Sequence, residues 1–250
     1  MRHLFAAAVL TLATVPIQAA DVPASLSAAV AATERSEKDR ERDARDRPAE
    51  LMAFAGIAPG MRIADVFGGG GYWTELMARA VGPGGHVRLV NNAPYLNFAG
   101  KEIKPRFEGD RLPNAEFRTV ESCDLKLGQS AFDLILIFMS YHDLYYVDEK
   151  DGWAGIDAGG FLRQLHAALR PGGSLLIVDH AAAAGSGNSA AQGLHRIDEA
   201  FAKQDISSHG FKLEKTWDGY RNPTDDLGKL VFDPAVRGKT DRFTHLYRKR

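Results

Sequence analysis

The chain has 250 residues, 31 basic and 32 acidic side chains giving a formal net charge of −1, and a single cysteine. That length suits one large domain with a substantial core, and the composition is that of an ordinary globular protein. The charge balance gives no nucleic-acid footprint, and Cys123 alone excludes an internal disulfide.

Residues 1–20 read as an export signal. Arg2 and His3 form a short basic start, residues 4–15 are nearly all apolar, and Ala19 and Ala20 offer small residues for cleavage. The apolar run is too short to span a bilayer comfortably. The expectation is a periplasmic or secreted protein with no stable membrane insertion after cleavage. Residues 21–47 form a charged helical arm. Glu34, Glu37, Asp39, Glu41, Asp43 and Asp46 alternate with Arg35, Lys38, Arg40, Arg42, Arg45 and Arg47, as on a solvated helix or a mobile arm.

Residues 48–250 carry the pattern of a second, larger unit. Pro48 suits the first turn of a helix ending before Gly56, and Pro59 and Gly60 turn the chain into a strand over 62–66. Gly68 to Gly71 follow, then a helix over 72–81 stopped by Gly82-Pro83-Gly84-Gly85. Further strands are expected at 86–90, 115–120 and 174–178, with helices at 95–103, 160–169 and 189–208. Residues 132–139, FDLILIFM, are an almost unbroken apolar run, as in a central parallel strand buried on both faces. Residues 210–217 and 242–248 alternate like a terminal antiparallel pair. Together these predict an α/β fold with a doubly wound, mostly parallel seven-stranded sheet and an antiparallel C-terminal hairpin.

In such a sheet the ligand lies outside the carboxyl ends of the strands. That rule gathers Asp65, Asn91, Asn92, Cys123, Asp124, the Ser140-Tyr141-His142-Asp143 stretch, and Asp179 with His180 on one rim. The glycine turn lets the backbone lie close to a ligand, and the helix behind it points free N–H groups there. The lack of a following Gly-Lys-Ser/Thr argues against a phosphate loop, and the dinucleotide fingerprint Gly-x-Gly-x-x-Gly is absent.

What remains, Asp65 followed by Gly68, Gly69, Gly70 and Gly71, resembles the first motif of class I S-adenosylmethionine (SAM) methyltransferases. Asp65, Gly69 and Gly71 match it, whereas Phe67 stands where its first glycine usually sits. From about Pro48 onward the chain also resembles bacterial predicted methyltransferases that carry signal peptides. The resemblance rests on DVFGGGGYWTELMA, FMSYHDLYY, LRPGGSLLIVDH, LHRID and RNPTDD with VFDPAVRGKTDRF. It implies the class I methyltransferase fold and SAM as cofactor, held by Asp65, the four glycines, Asn91 or Asn92, and Asp124. It supplies no substrate; the expected function is methyl transfer from SAM to an unidentified small-molecule acceptor.

In that family the second strand normally ends in an acid that accepts the ribose hydroxyls, and an asparagine lacks the charge that strengthens such a bond. Either the cofactor binds more weakly, another carboxylate substitutes, or SAM is not the ligand. Asp124 matches the position that commonly reaches the adenine amino group, or else closes an Asx turn. For catalysis, Tyr141, His142 and Asp143 stand where a substrate would meet the methyl group, with His142 the candidate base. The bland alternative is a helix start capped by Asp143. His180 and His195 are expected in a polar wall around the substrate. With Asp143, Asp179 and Asp198 they have the chemistry of a divalent-ion site, but their spacing is no known metal signature and no metal is expected. Arg221 and Arg237, on long polar loops, could clamp an anionic substrate. The alternative function is an exported, catalytically degenerate protein of this fold that binds a small molecule or metal.

Overall fold

The computed structural model describes residues 22–250. The export signal read over residues 1–20 lies outside the described residues. Among the described residues no helix is long and apolar enough to cross a membrane.

A seven-stranded sheet organises the chain. Its strands are β1 (Arg62–Val66), β2 (His86–Asn91), β3 (Ala115–Thr119), β4 (Phe132–Phe138), β5 (Leu169–His180), β6 (Phe211–Thr216) and β7 (Arg242–Lys249), in the spatial order β3-β2-β1-β4-β5-β7-β6. Neighbours from β3 to β5 pair in parallel, and β7 lies antiparallel between β5 and β6. The α/β sheet with its antiparallel C-terminal hairpin is as expected. The order reverses between β1 and β4, so the crevice for a ligand opens beyond their carboxyl ends.

The alternation of side chains along each strand builds two cores. Val66, Ile135, Ile137 and Ile177 face one layer with Leu162, Leu165 and Ile206. Ile63, Leu134, Leu136 and Val178 face the other with Leu51, Leu76 and Met77. The latter layer includes α3 (Pro48–Ala55) and α4 (Tyr72–Val81), and α6 (Ala158–Ala168) and α8 (Glu199–Ser208) cover the former.

Two departures from the sequence reading bear on the rim. The helix expected over residues 189–208 is two, α7 (Ser189–Leu194) and α8, broken at His195 in the left-handed region with φ 51°. Asp198 breaks it: its carboxylate accepts hydrogen bonds from the Ala200 amide, capping α8, and from the Gly185 amide. The charged arm is also not a solvated helix. Its helix α1 (Ala24–Ala31) packs on α3 and α4, α2 (Glu37–Asp46) is tied to α4 through the Asp43–Tyr72 hydrogen bond, and Arg35, Asp39 and Asp46 are buried.

Candidate active site

The turn after β1 is built around Asp65. The carboxylate is wholly buried; its Oδ2 accepts a hydrogen bond from Thr74 Oγ1 at 2.6 Å, and its Oδ1 has no partner. Burial raises its pKa to about 6, against the lowering effect of Thr74. A Cβ at Gly68 would overlap this carboxylate, so no side chain is tolerated there. Phe67 departs from the glycine pattern but keeps its backbone shape, with φ 55°. Its ring packs into the core, with centroids 4.8 Å from Tyr95 and 5.2 Å from Phe161.

Asn91, at the end of β2, turns both ends of its amide on this loop. Oδ1 accepts from the Gly69 amide at 3.1 Å, and Nδ2 donates to the Gly69 carbonyl at 2.9 Å. Asn91 therefore holds the turn. Asn92 caps the helix α5 (Ala93–Phe107) by accepting from the Tyr95 amide at 3.4 Å, and its Nδ2 donates to Ser122 Oγ at 3.3 Å. Asn92 also lines a cavity of about 380 Å³ at the ends of β2 and β3, together with Pro94, Ser122, Cys123, Phe161 and Gln164. Asp124 is not among the residues lining it. It is exposed, pairs with Lys126 and accepts from the Lys126 amide at 3.3 Å, the Asx turn considered as its alternative.

The face of the turn away from the sheet is closed by α5 and the arm. Arg106 Nε donates to the Gly70 carbonyl at 2.6 Å, and its Nη1 reaches Glu75 at 2.6 Å and Asp39 of the arm at 2.8 Å. Tyr72 donates to Asp43 at 2.7 Å, and the Arg42 guanidinium lies 4.0 Å from the Tyr72 ring centre. The positive charges of Arg42 and Arg106 also act to lower the Asp65 pKa, without offsetting burial.

Across the rim, a short helical turn, His142–Tyr145, follows β4. Asp179, near the end of β5, fixes it: its Oδ2 accepts from the His142 amide and its Oδ1 meets His142 Nδ1, both at 2.8 Å. His142 Nε2 then faces Asp143 Oδ1 at 3.2 Å, and His195 Nδ1 approaches the same oxygen at 3.6 Å. The Tyr95 hydroxyl donates to Asp143 Oδ2. Burial opposes charge on His142, but Asp179 and Asp143 overcome it and hold the imidazole well above its ordinary pKa. Burial likewise works against ionised Asp143, but His142 holds it well below the usual carboxylate range.

The other expected residues divide. His180 stands beside the cluster, its ring 5.9 Å from that of His142 and its Nδ1 2.7 Å from Thr240 Oγ1; burial pushes its pKa well down. Tyr141 is buried in the core, where its hydroxyl donates to Asp205. Arg221 is engaged by Glu199 at 2.9 Å and Asp241 at 3.1 Å, and Arg237 is exposed. Tyr95 is the site residue that the sequence reading missed. The signal was present in Asn92 and Pro94, a cap and a first-turn proline that put Tyr95 in the first turn of a helix starting at the rim.

No family model matches the chain. Over 126 residues, half of this chain and 45% of the relative, it is 29% identical to the ubiquinone/menaquinone biosynthesis C-methyltransferase UbiE of Hahella chejuensis. Over 129 residues it is 26% identical to the UbiE of Pseudomonas paraeruginosa, covering 51% of this chain and 45% of that one. The chain thus spans a little under half the length of these curated relatives. Among solved structures, a SAM-dependent methyltransferase from Aquifex aeolicus superposes with a TM-score of 0.58 at 18% identity, over 85% of this chain and 97% of that one. An arsenic(III) S-adenosylmethionine methyltransferase from Chlamydomonas reinhardtii gives 0.56 at 18% identity, over 91% and 73%. The [4+2]-cyclase SpnF gives 0.55 at 16% identity, over 81% of each chain. The fold is therefore that of the class I SAM-dependent methyltransferases. Because a cyclase shares it, the reaction has to be argued from the site.

Proposed function

We propose that the chain is a SAM-dependent methyltransferase acting on a small-molecule acceptor. The observation that carries this reading is the unpaired Asp65 Oδ1 beside Gly68. A buried carboxylate oxygen without a partner is unfavourable, and a cationic ligand group would satisfy it. SAM brings an ammonium at its methionine end, so Asp65 and the backbone of residues 67–69 would hold that end. The cavity beside Asn92, Ser122 and Phe161, at about 380 Å³, is of a size for the adenosine end. Similarity to UbiE C-methyltransferases over half the chain supports the same chemistry.

Bound there, SAM supplies an electrophilic methyl group on a positively charged sulfur. The chain's task is alignment and proton handling. Tyr95 links the two halves of the site, its ring stacked on Phe67 at the turn and its hydroxyl on Asp143 at the acceptor side. His142, Asp143 and His195 form the polar wall against which an acceptor hydroxyl, amine or activated carbon would lie. Asp143 Oδ1, close to both rings, can take part in moving the acceptor's proton.

The test is transfer of labelled methyl from SAM to a panel of phenols, quinols and amines by the full chain. Turnover is expected in the wild type and lost in His142→Ala, with SAM affinity retained. Failure of the wild type to transfer to any of them, together with failure to bind SAM, would overturn the assignment.

A further inference from the structure

The cluster at the acceptor side converges in a way that proton handling alone does not require. His142 and Asp143 come from the turn after β4, and His195 from the break between α7 and α8. Each brings one ligand-type atom to a common point, the three lying within 4.8 Å of one another. The separations of 3.2 Å and 3.6 Å from Asp143 Oδ1 bracket the ~3.3–3.4 Å edge of a tetrahedron whose bonds are ~2.0–2.1 Å.

The surroundings prepare these atoms for ligation. His142 Nδ1 is bonded to Asp179 Oδ1, so Nε2, 3.2 Å from Asp143 Oδ1, is the ring atom at the common point, and an ion binding there displaces its proton. Metal-ligating histidines usually engage a carboxylate in this way through their other nitrogen. The Tyr95 hydroxyl occupies Asp143 Oδ2 and leaves Oδ1 for the common point. Tyr146 and Phe232 pack on the His195 ring, with centroids at 4.6 Å and 5.1 Å. The His195 side chain is 19% exposed, so an ion has a way in from that side.

We propose that His142, Asp143 and His195 bind one divalent transition-metal ion of the zinc type, with a coordination position left for water or an acceptor oxygen. Two imidazoles and one carboxylate suit such an ion better than magnesium or calcium, which take mostly oxygen ligands. A site with three protein ligands and an open position is the catalytic kind. Asp179 is a positioning residue for His142. The inference concerns metal binding alone and holds whether or not methyl transfer is the reaction.

The experiment strips the full-length protein with a chelator and titrates it with cobalt(II), then with zinc(II) in competition, following visible absorption and heat. One equivalent of cobalt should bind with the absorption of a low-coordinate site, zinc should displace it, and the melting temperature should rise with either ion. Asp143→Asn and His195→Asn should each weaken cobalt binding by more than tenfold. Asparagine adopts the left-handed backbone of position 195 readily, so the second variant keeps its fold. Asp179→Asn should weaken binding about 10–100-fold while leaving one equivalent at saturation. No stoichiometric uptake by the wild type, or uptake unchanged in both ligand variants, would overturn the proposal and leave the cluster an ion-paired imidazolium.

Discussion

Asn91 grips Gly69 through both ends of its side-chain amide, accepting from the backbone N–H and donating to the carbonyl. This pairing explains why an amide stands where the class I methyltransferase pattern has an acid. A carboxylate could accept from the amide of Gly69, but it would set a negative oxygen against the carbonyl. Asn91→Asp is therefore expected to destabilise the protein by about 1–3 kcal/mol through an unpaired buried acceptor, with no gain in SAM affinity. Urea denaturation and calorimetry check the two parts.

Asp65 gives a pH signature. Its folded pKa is about 6 against an ordinary 3.8, because burial disfavours the charge. The folded state binds this proton more tightly than the unfolded state does. Stability from this group is thus greatest below its unfolded pKa and falls as pH rises through the folded value, a window of about 4 to 6. Asp65→Asn should remove that fall, as seen in melting temperatures across the window. A cationic ligand favours the ionised form, so SAM affinity should rise from pH 5 to pH 7 in the wild type and stay flat and weaker in the variant.

Tyr95→Phe keeps the stack on Phe67 and removes the donor to Asp143. A hydrogen bond to a charged group is worth about 1.5–3 kcal/mol. Methyl transfer should therefore fall by about tenfold to a hundredfold in kcat/KM, with SAM affinity within about twofold of wild type. Steady-state kinetics beside a binding titration separates these effects.

Arg106 ties the arm to the glycine turn by bridging Asp39, Glu75 and the Gly70 carbonyl. Arg106→Met leaves buried Asp39 without its arginine partner and Glu75 with Arg79 and Arg111 alone. Breaking a buried pair in this way is expected to cost about 3–5 kcal/mol, measurable by chemical denaturation.

The parts of the fold that are legible in the sequence are those whose signal is local. The run from Phe132 to Phe138 reads directly as a strand buried on both faces, and the glycines after Asp65 as a turn leading into a helix. The arm misleads because mixed charges at helical spacing look the same on a solvated helix. What buries them here is Arg106 and Tyr72, distant in sequence. The split at His195 has a local cause, the Asp198 cap, which reads equally well as an ordinary polar residue inside one longer helix. His142 and His195 lie too far apart to form a spacing motif, and only the packing of α7 on the turn after β4 joins them. Tyr95 is not legible as a site residue because an aromatic early in a helix reads as core, and its ring is indeed core while its hydroxyl is in the site.

The most direct test of the central claim, that Asp65 and the glycine turn hold the methionine end of SAM, is calorimetry of the full chain with SAM and its demethylated product. Saturable one-to-one binding of both is expected, weakened at least tenfold in Asp65→Asn although that variant is at least as stable at neutral pH. No heat at millimolar ligand, or equal affinity in the wild type and the variant, would contradict it.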